Sequence, residues 1–577
     1  MRTSMRAVLL VRNPDLQVRR VGLPMQLLEP QRKQQRRGDP MALMPVKELG
    51  SLGVITDIPP SRLPINAFSR AKNVRFDALS VTRSPVFRTI KNTLGFDPRH
   101  VANIVPTTGG FSTIVMASDT FQIREYVNGT VHDRNGSISL LNSSLAPYTS
   151  TSLADVDYLN RADRVPVYRL AGGTDYADLT HWDSTWRAES LRAFGDFLLG
   201  IGMTEGSTSY NQRVRWSNLA LANSIPDSWS ATDTTKSAGF NDLVQLGSPL
   251  IDGLSLGVNF ILYSSDQVWL MEFVGGTFIF NFRKLFDGFG VVNQNCVVEV
   301  DNKHFVLDRN DIYMHDTHTK VSICDQRVKD YIFSGMDTSK YDRCFVAHNH
   351  SIEEIMFCYV SRDDMAEFTN GDRCNRAAVY NYRTETWSFM DLPNVSASTT
   401  ANVSSAVSYA DAVGSYSNAG GSYNSQASGF DQHLVFVAKS VSSDGLSSDS
   451  LYGVDFVDSS TLSFPIDVAA NKAPYIERTG IDLDAQSPLT GYKYITQFTP
   501  QTTTKNSSKT FEFSFGASNL IDDAPVYETA VSFDSASRHK IDSRAAGRYL
   551  SYKMTISDTK DFNFTGFDAD VQILGRR

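Results

Sequence analysis

Cysteine and long apolar runs are both scarce in this 577-residue chain. The five cysteines are odd in number and none lies in a CxxC pair, which argues against a disulfide framework or a zinc knuckle and predicts buried free thiols. No apolar run approaches the roughly 20 residues that cross a bilayer, so the sequence predicts neither a membrane span nor a signal peptide. It also lacks a Gly-Lys-Ser/Thr phosphate loop, which disfavours an energy-consuming motor.

The remaining composition is that of a globular protein. Hydrophobic residues make up 41% of the chain, aromatic residues 11% and charged residues 20%, which excludes wholesale disorder. The length exceeds the size at which a single hydrophobic core stops growing. We therefore expect either several structural units or one large repetitive unit.

Charge is distributed unevenly along the chain. Residues 1–40 hold nine basic and three acidic residues, a net of +6, and subtracting this from the total of −8 leaves −14 for residues 41–577. We assign residues 1–45 to a basic N-terminal extension. Its basic residues suit contact with nucleic acid or with an acidic neighbouring subunit, and the alternative is a solvated extension without a partner.

From about residue 100 onward, short runs rich in β-branched and aromatic residues alternate with Gly, Asn and Asp turns, which predicts an all-β fold. Residues 297–323 spell four strands joined by short polar turns, the size of one β-propeller blade. Residues 379–389 read as a hairpin that closes another blade on Trp387. We therefore predict a β-propeller over 99–472, with a short helix over 325–333. The expected anchors between blades are Trp216, Trp229, Trp269 and Trp387.

Three further segments differ from this pattern. Residues 46–98 form a proline-rich arm, in which Pro59, Pro60 and Pro64 forbid helix and predict an extended strap. Residues 394–431 are rich in Ser, Gly and Tyr, which predicts a flexible insertion whose Tyr409, Tyr416 and Tyr423 are candidate contact residues. Longer strands over 473–577 predict a separate C-terminal antiparallel β domain.

Candidate catalytic groups are few. The histidines of 315–318 and 348–350 lack a helix and a third ligand, so we expect no metal site, and no cofactor is indicated. Glu205, Asp227 and Tyr210 have types that glycosidases use, but no sialidase-type Asp box accompanies them. We therefore predict that the chain is not an enzyme, with a carbohydrate-active propeller as an alternative.

Several segments, in matching order, are similar to one family of phage tail proteins. They are VITDIPPSRLPINAFSRAKNVRF at 54–76, GDFLLG at 195–200, QRVRWSN at 212–218, DSW at 227–229, NRAAVYNYRTETW at 375–387, GRYLSY at 547–552 and LGRR at 574–577. Together they span most of residues 46–577. The chain resembles the tail nozzle or hub proteins of short-tailed bacteriophages, also described as tubular tail or packaged-DNA stabilisation proteins. Residues 1–40 have no counterpart in that resemblance.

The resemblance implies a structural virion protein of the phage tail, assembled in the host cytoplasm. It implies a homohexameric ring beneath the portal and adaptor proteins, beside tail fibre, spike or needle proteins, with double-stranded DNA passing through without sequence-specific contact. The arm and the C-terminal domain are the expected ring contacts, and the distal end faces the host cell surface. The alternative from another class is a receptor-binding adhesin that uses the tyrosines of 394–431.

Overall fold

The fold is taken from a computed structural model that describes residues 42–104, 113–127, 129–276, 278–368, 371–404, 430–439, 449–455, 466–483, 491–503, 510–521, 523–556 and 561–575. Within these ranges nearly all regular structure is β-strand, which confirms the predicted fold class. No helix in this part of the chain is long and apolar enough to cross a membrane.

The first described residues form short strands around the proline-rich strap. These are β1 (Ala42–Lys47), β2 (Arg70–Lys72), β3 (Val74–Asp77), β4 (Ser80–Arg83) and β5 (Val86–Lys91), with a 3-10 turn at Pro60–Arg62. The strap therefore alternates extended segments with one tight turn. Proline fixes its own φ and starts that turn without needing a backbone donor.

Five four-stranded antiparallel meanders follow, and we call them blades 1 to 5. Blade 1 contains β6 (Pro98–Ile104), β7 (Thr113–Ser118), β8 (Ile123–Val127) and β9 (Thr130–Asp133). Blade 2 contains β10 (Tyr148–Leu153), β11 (Val156–Arg161), β12 (Val167–Leu170) and β13 (Ala177–Asp178). Blade 3 contains β14 (Trp186–Phe194), β15 (Phe197–Glu205), β16 (Thr208–Trp216) and β17 (Gly239–Asp242). Blade 4 contains β18 (Leu250–Leu256), β19 (Asn259–Ser264), β20 (Gln267–Phe273) and β21 (Phe280–Asp287), and blade 5 contains β22 (Val297–Val300), β23 (Lys303–Leu307), β24 (Ile312–His315) and β25 (Lys320–Ser322).

Two more blades complete the propeller. A short helix α1 (Lys329–Gly335) and 3-10 turns at Thr338–Arg343 and His350–Ile352 accompany β26 (Phe345–Asn349), β27 (Glu354–Tyr359) and β28 (Cys374–Asn381). The 19-residue strand β29 (Thr386–Ser404) closes blade 6 with its first part and opens blade 7 with its second part. Blade 7 continues through β30 (Phe430–Ala438) and β31 (Ser450–Asp455), and its fourth strand is β5. The described residues thus form a seven-bladed β-propeller.

Local turn chemistry sets the meanders. The turn between β22 and β23 is made by Asp301 and Asn302, and the turn between β10 and β11 by Ala154 and Asp155, all four with positive φ. Two consecutive positive φ angles give the turn whose twist matches antiparallel strands, and Asp and Asn tolerate that conformation. The predicted four strands of 297–323 are confirmed.

Apolar residues pack between successive blades. Distinct clusters lie between blades 1 and 2, 2 and 3, 3 and 4, 6 and 7, and 7 and 1. The four predicted tryptophan anchors are buried, and all five cysteines are buried and unpaired, as expected. Trp387 donates from Nε1 to the Ile323 carbonyl at 3.0 Å and so links blade 6 to the end of blade 5.

A second body, the β unit, is built from strands that precede and follow the propeller strands in the sequence. Its later strands are β32 (Tyr475–Ile481), β33 (Tyr492–Thr503), β34 (Thr510–Ser518), β35 (Val526–Tyr527), β36 (Val531–Asp534), β37 (Ile541–Asp542), β38 (Ala546–Gly547), β39 (Tyr549–Ile556) and β40 (Asn563–Gly575). One sheet joins β1, β3 and β4 to β40 and β33, and the other joins β2 to β32, β39 and β34. Phe498 of the first sheet packs against Phe513 and Phe515 of the second, giving an aromatic core.

The strap thus pairs within its own chain, whereas the sequence suggested an arm and a C-terminal domain that are separate. The reason is non-local pairing: β2 joins β32, more than 400 residues later, which local patterns do not reveal. Arg478 of β32 donates to the Pro60 carbonyl at 2.9 Å and to the Leu63 carbonyl at 2.8 Å. Pro59 and Pro64 remain exposed, so an intersubunit contact at these prolines stays a prediction.

Polar side chains join the β unit to blade 6. The Asn73 side chain donates to Asp391 at 2.9 Å and accepts from the Asp391 backbone N–H at 2.9 Å. Arg75 donates from Nε to Glu354 at 2.7 Å. Asn73, Asp391 and Glu354 are buried and Arg75 is half-buried, so these paired groups form one polar seam between the two bodies.

Candidate functional site

The propeller encloses a cavity of about 410 Å³ on its axis, which we call the central cavity. It is lined by the innermost strand of the blades, including β6, β10, β22, β26 and the second part of β29. Its volume falls in the range of small-molecule sites, about 300–1,000 Å³. Because each blade contributes one edge strand, lining residues come from positions spread over some 300 residues of sequence.

An ionic cluster closes the cavity where blade 7 meets blade 1. The Asp97 carboxylate accepts hydrogen bonds from Arg99 at 3.1 Å, from Lys439 at 2.8 Å and from the buried Arg373. Arg99 also donates to Asp372 at 2.8 Å. Burial lowers the pKa of Arg373 to about 9, which still leaves its guanidinium charged at neutral pH.

A second ion pair crosses the cavity wall from blade 3 to blade 4. Arg192 donates from Nε and Nη2 to Asp252 at 2.8 and 2.6 Å, and Ser190 donates to the same carboxylate at 2.5 Å. The Asn295 backbone N–H adds a bond of 2.9 Å. Burial would raise the pKa of Asp252, but Arg192 and these donors outweigh it and lower the pKa.

His100 is the one histidine that lines the central cavity in the described residues. Its Nε2 lies 3.0 Å from the Ser150 hydroxyl, and its ring stacks on Tyr148 at 5.6 Å. Burial, with a contribution from Arg192, lowers the pKa of His100 to about 3. The imidazole is therefore neutral at physiological pH.

The histidines considered as metal ligands from the sequence have partners other than a metal or lie at the surface. His315 is buried and pairs with the Tyr263 hydroxyl at 2.6 Å, and His304 pairs with the same hydroxyl at 2.7 Å. His318 is exposed beside Thr317. Across the described ranges, no group of three or more potential ligands could hold a metal ion.

The candidate glycosidase residues Glu205, Tyr210 and Asp227 lie in blade 3 but do not converge. Glu205 accepts from Arg213 at 3.0 Å and from Arg215 at 2.9 Å. Tyr210 lies under the Arg213 guanidinium, 3.7 Å from ring centroid to Cζ, and Asp227 pairs with a lysine and with Asn218 in the loop before β17. Each carboxylate thus has cationic or amide partners of its own blade.

One face of the propeller carries an excess of carboxylates. The turns that join the first to the second strand of each blade, and the third to the fourth strand of blades 1 to 6, point to the same face because the strands alternate in direction. The acidic residues in the described turns of this face, which we call the acidic turn face, are Asp155, Asp175, Asp196, Asp227, Asp233, Asp301, Asp316, Glu353 and Glu385. Its only cations in those turns are Lys236 and Arg383, both in ion pairs. This face is therefore strongly negative.

The segments that resemble the phage family lie in distinct parts of the fold. The strap 54–76 lies in the seam, 375–387 in blade 6, and 547–552 in the β unit. The segments 195–200, 212–218 and 227–229 meet in blade 3, where Leu199 pairs with Trp216 and Arg215 donates to the Trp229 carbonyl at 2.8 Å. Tyr409, Tyr416, Tyr423 and residues 1–40 lie outside the described residues.

The cavity residues were not identified from sequence. Arg99, Arg192, Asp252 and Arg373 belong to different blades, and no spacing links them. The available signal is positional: Arg99, Asp252 and Arg373 each lie within three residues of a strand terminus. Finding them requires the blade boundaries first.

Comparisons with known proteins give no family. No protein-family model and no curated protein match the chain. Among solved structures, the computationally designed Ika8 protein is similar at 9% identity with a TM-score of 0.34, over 64% of this chain and 98% of that one. The CNH domain of AfRom2 is similar at 8% identity and a TM-score of 0.34, over 64% and 99%. U3-55K is similar at 8% identity and a TM-score of 0.33, over 55% and 91%.

Proposed function

We propose that this chain is a structural, non-enzymatic subunit of the tail nozzle of a short-tailed bacteriophage. In this proposal copies of the chain form a ring, of six by the resemblance, through which the genome is retained and then released. The portal and adaptor proteins lie above the ring, and fibre, spike or needle proteins and the host surface lie at the other end. The observation that carries the proposal is the ordered series of family-like segments in the seam, blade 3, blade 6 and the β unit.

The channel for DNA in this proposal runs between copies, not through one propeller. The central cavity measures about 410 Å³, and its wall contains ion pairs such as that of Arg192 with Asp252. Duplex DNA, whose major groove alone is about 12 Å wide, does not fit such a space. Heterologous interfaces between several copies can close into a ring, and such a ring has a wider opening on its axis.

The acidic turn face is the surface best suited to line that opening. Cations that neutralise phosphates add salt-dependent affinity and would hold the DNA, whereas carboxylates repel it. Six copies of residues 41–577 would together carry about −84, six times −14. Screening limits the repulsion to roughly 10 Å at moderate salt, which keeps the effect local to the channel wall.

Particle imaging of the purified full chain tests the ring. We expect six-fold particles with an axial hole wide enough for duplex DNA. A compact trimer without a hole would favour the adhesin, and release of sugars from host polysaccharide by the purified protein would favour the carbohydrate-active alternative. A stable monomer at high protein concentration, with the adaptor present, would contradict the nozzle proposal.

Charge reversal tests the lining. Replacing three carboxylates of the acidic turn face, Asp155→Lys, Asp196→Lys and Asp301→Lys, adds cations where the proposal places DNA. We expect the assembled variant to retain duplex DNA, with a slope of log affinity against log salt steeper by up to about 0.9 for each phosphate newly contacted. Fluorescence anisotropy of a labelled duplex at several salt concentrations measures both quantities.

A matched control reverses three exposed carboxylates elsewhere. Asp183, Asp325 and Asp364 lie in connections on the opposite face of the propeller. Replacing them with lysine changes the net charge by the same amount but away from the proposed channel wall. DNA retention should therefore stay near that of the unchanged protein. Equal retention by the two triple variants, or tight retention by the unchanged ring at physiological salt, would contradict the assignment of the lining.

A further inference from the structure

Blade 4 interrupts the acidic turn face with apolar side chains. Its two turns on that face, at 257–258 and 274–279, contain no carboxylate. Four large apolar side chains are exposed there, and we call them the apolar corner: Val258 by 86%, Phe273 by 59%, Val274 by 55% and Phe278 by 78%. Single exposed apolar side chains are ordinary on a protein surface, whereas a group of them in one place marks an interaction site.

The apolar corner stands on the aromatic core between blades 3 and 4. The register of β19 with β20, continued beyond the pair of Phe260 and Met271, places Val258 opposite Phe273. The Phe273 ring packs on that of Phe197 with centroids 6.0 Å apart, and Phe197 is buried in the cluster between the two blades. The corner is therefore the surface end of a packed core and is held in place by it.

The size of the apolar corner suits a peptide segment. At about 200 Å² for each phenylalanine side chain, the exposed fractions of Phe273 and Phe278 alone amount to about 270 Å² of apolar surface. With the two valines the corner is comparable to the largest apolar patches of monomeric proteins, which are often functional. A stable interface between folded proteins buries about 800 Å² on each partner, so the corner by itself is too small to hold a folded domain.

Carboxylates of three blades flank the apolar corner. Asp196 of blade 3, Glu272 of blade 4 and Asp301 of blade 5 lie beside it, and Lys303 at the start of β23 offsets one of them, which leaves a net of −2 from three carboxylates and one ammonium group. The turn that holds Asp196 contacts blade 4 through ring pairs 5.4 and 6.0 Å apart. A methyl group on Gly257 would lie 4.0 Å from the side chain that follows Asp301. The corner thus combines apolar surface with negative charge.

We propose that the apolar corner is a docking site for a peptide segment of a partner protein that carries both apolar side chains and positive charge. The apolar side chains of the segment would cover the phenylalanines, and its cations would meet the flanking carboxylates. DNA, anionic lipid and the same corner of a second copy all bring negative charge to these carboxylates and are repelled. This inference concerns the surface of one copy and does not depend on the ring.

Calorimetric titration of the full chain with synthetic peptides tests the site. The probe is a decapeptide of alternating lysine and leucine. One control peptide has glutamate in place of lysine, and the other has serine in place of leucine. We expect saturable one-to-one binding of the lysine–leucine peptide that weakens as salt is added, because salt screens the flanking carboxylates. Each control peptide should bind more weakly by about tenfold or more, since it lacks one of the two complementary features.

Two matched double variants locate the binding. The corner variant, Val258→Ser with Phe278→Ser, should weaken binding by about tenfold or more with little change in melting temperature, because both side chains are exposed. The control variant is Val244→Ser with Val526→Ser, whose side chains are 84% and 80% exposed and lie in the connection from β17 to β18 and in the β unit. It should bind as the unchanged chain does. Phe278→Ser alone replaces the corner variant if the double substitution lowers the melting temperature.

A third variant separates charge from apolar contact. Asp196→Asn with Glu272→Gln keeps the apolar corner and should reduce the dependence of binding on salt. Absence of saturable binding by the lysine–leucine peptide, equal or tighter binding of the glutamate–leucine peptide, or equal binding by the corner and control variants would overturn the proposal. Attachment to phosphatidylcholine vesicles that the corner variant loses would assign the corner to lipid, and self-association that it loses would assign the corner to a second copy; either result would also overturn the proposal.

Discussion

Replacing Trp387 with alanine should remove one of the largest single contributions to the stability of the propeller. The side chain is 1% exposed, packs on Tyr380 with ring centroids 4.9 Å apart, and donates to the Ile323 carbonyl. Truncating a buried tryptophan costs about 3–5 kcal/mol, through lost contacts and the cavity that remains. We expect the upper half of that range because the Ile323 carbonyl also loses its donor.

Chemical denaturation followed by far-ultraviolet circular dichroism measures this loss. Trp387→Phe keeps most of the apolar contact and removes only the N–H donor, so it should cost about 1–3 kcal/mol. Phe278, 78% exposed, supplies the control, since Phe278→Ala should change stability by no more than about 0.5 kcal/mol. A loss below about 1 kcal/mol for Trp387→Ala would show that the contact between blades 5 and 6 does not hold the propeller together.

Two more predictions concern pH and backbone packing. Burial lowers the pKa of His100, His304 and His315 to about 3, 4 and 3. As the pH falls, these imidazoles are therefore protonated in the unfolded chain before they are protonated in the folded protein. Their contribution to stability is complete above about pH 6.5 and decreases below it. The free energy of unfolding, measured by denaturation at pH 7 and at pH 5, should differ by roughly 2 kcal/mol for each imidazole. His315→Gln should reduce this dependence of stability on pH. Stability that does not change with pH would contradict the burial of these histidines. Gly290→Ala would place a methyl group against the Ser264 carbonyl and should lower stability by about 1–3 kcal/mol or more. In Gly247→Ala the nearest atom to the new methyl group, Asp266 Oδ2, is 4.0 Å away, so the melting temperature should change little. Equal effects of the two substitutions would refute the packing around Gly290.

Sequence patterns predicted the parts of the fold that local interactions determine. The four strands of blade 5 follow from alternating apolar residues and from turns such as Asp301-Asn302, where both residues tolerate the positive φ that the turn requires. The longer strands predicted over 473–577 are also observed, among them β33, β34 and β39. These elements need no knowledge of distant partners.

The rest depends on pairings between distant residues. The first strand of blade 7 is the end of β29 and its last strand is β5, so no continuous stretch of sequence contains all of its strands. The predicted helix over 325–333 begins only at Lys329, because residues 325–328 form turns that lead to it. The cavity arginines and aspartates are separated by whole blades, and only closure of the propeller brings them together.

Closure of the propeller and assembly of the β unit are coupled through a short link. Only Ser84 and Pro85 separate β4 of the β unit from β5 of blade 7, and two residues span at most about 7 Å. The chain leaves blade 7 beside this entry point, where the Asn471 side chain accepts from the Phe87 N–H and donates to the Phe87 carbonyl, both at 2.9 Å.

Pairing β5 with β31 closes a loop of roughly 360 residues, and the entropy of that closure opposes it. The Asp97 cluster and the apolar contacts between blades 7 and 1 act at the same closure and offset this cost. Since β4 pairs with β40, a chain in which β5 is released from blade 7 also loses the constraint that holds β4 in the β unit. The topology therefore favours formation of blades 1 to 6 from local meanders first, followed by joint closure of blade 7 and the β unit. A surface to which both bodies contribute is available only after that step.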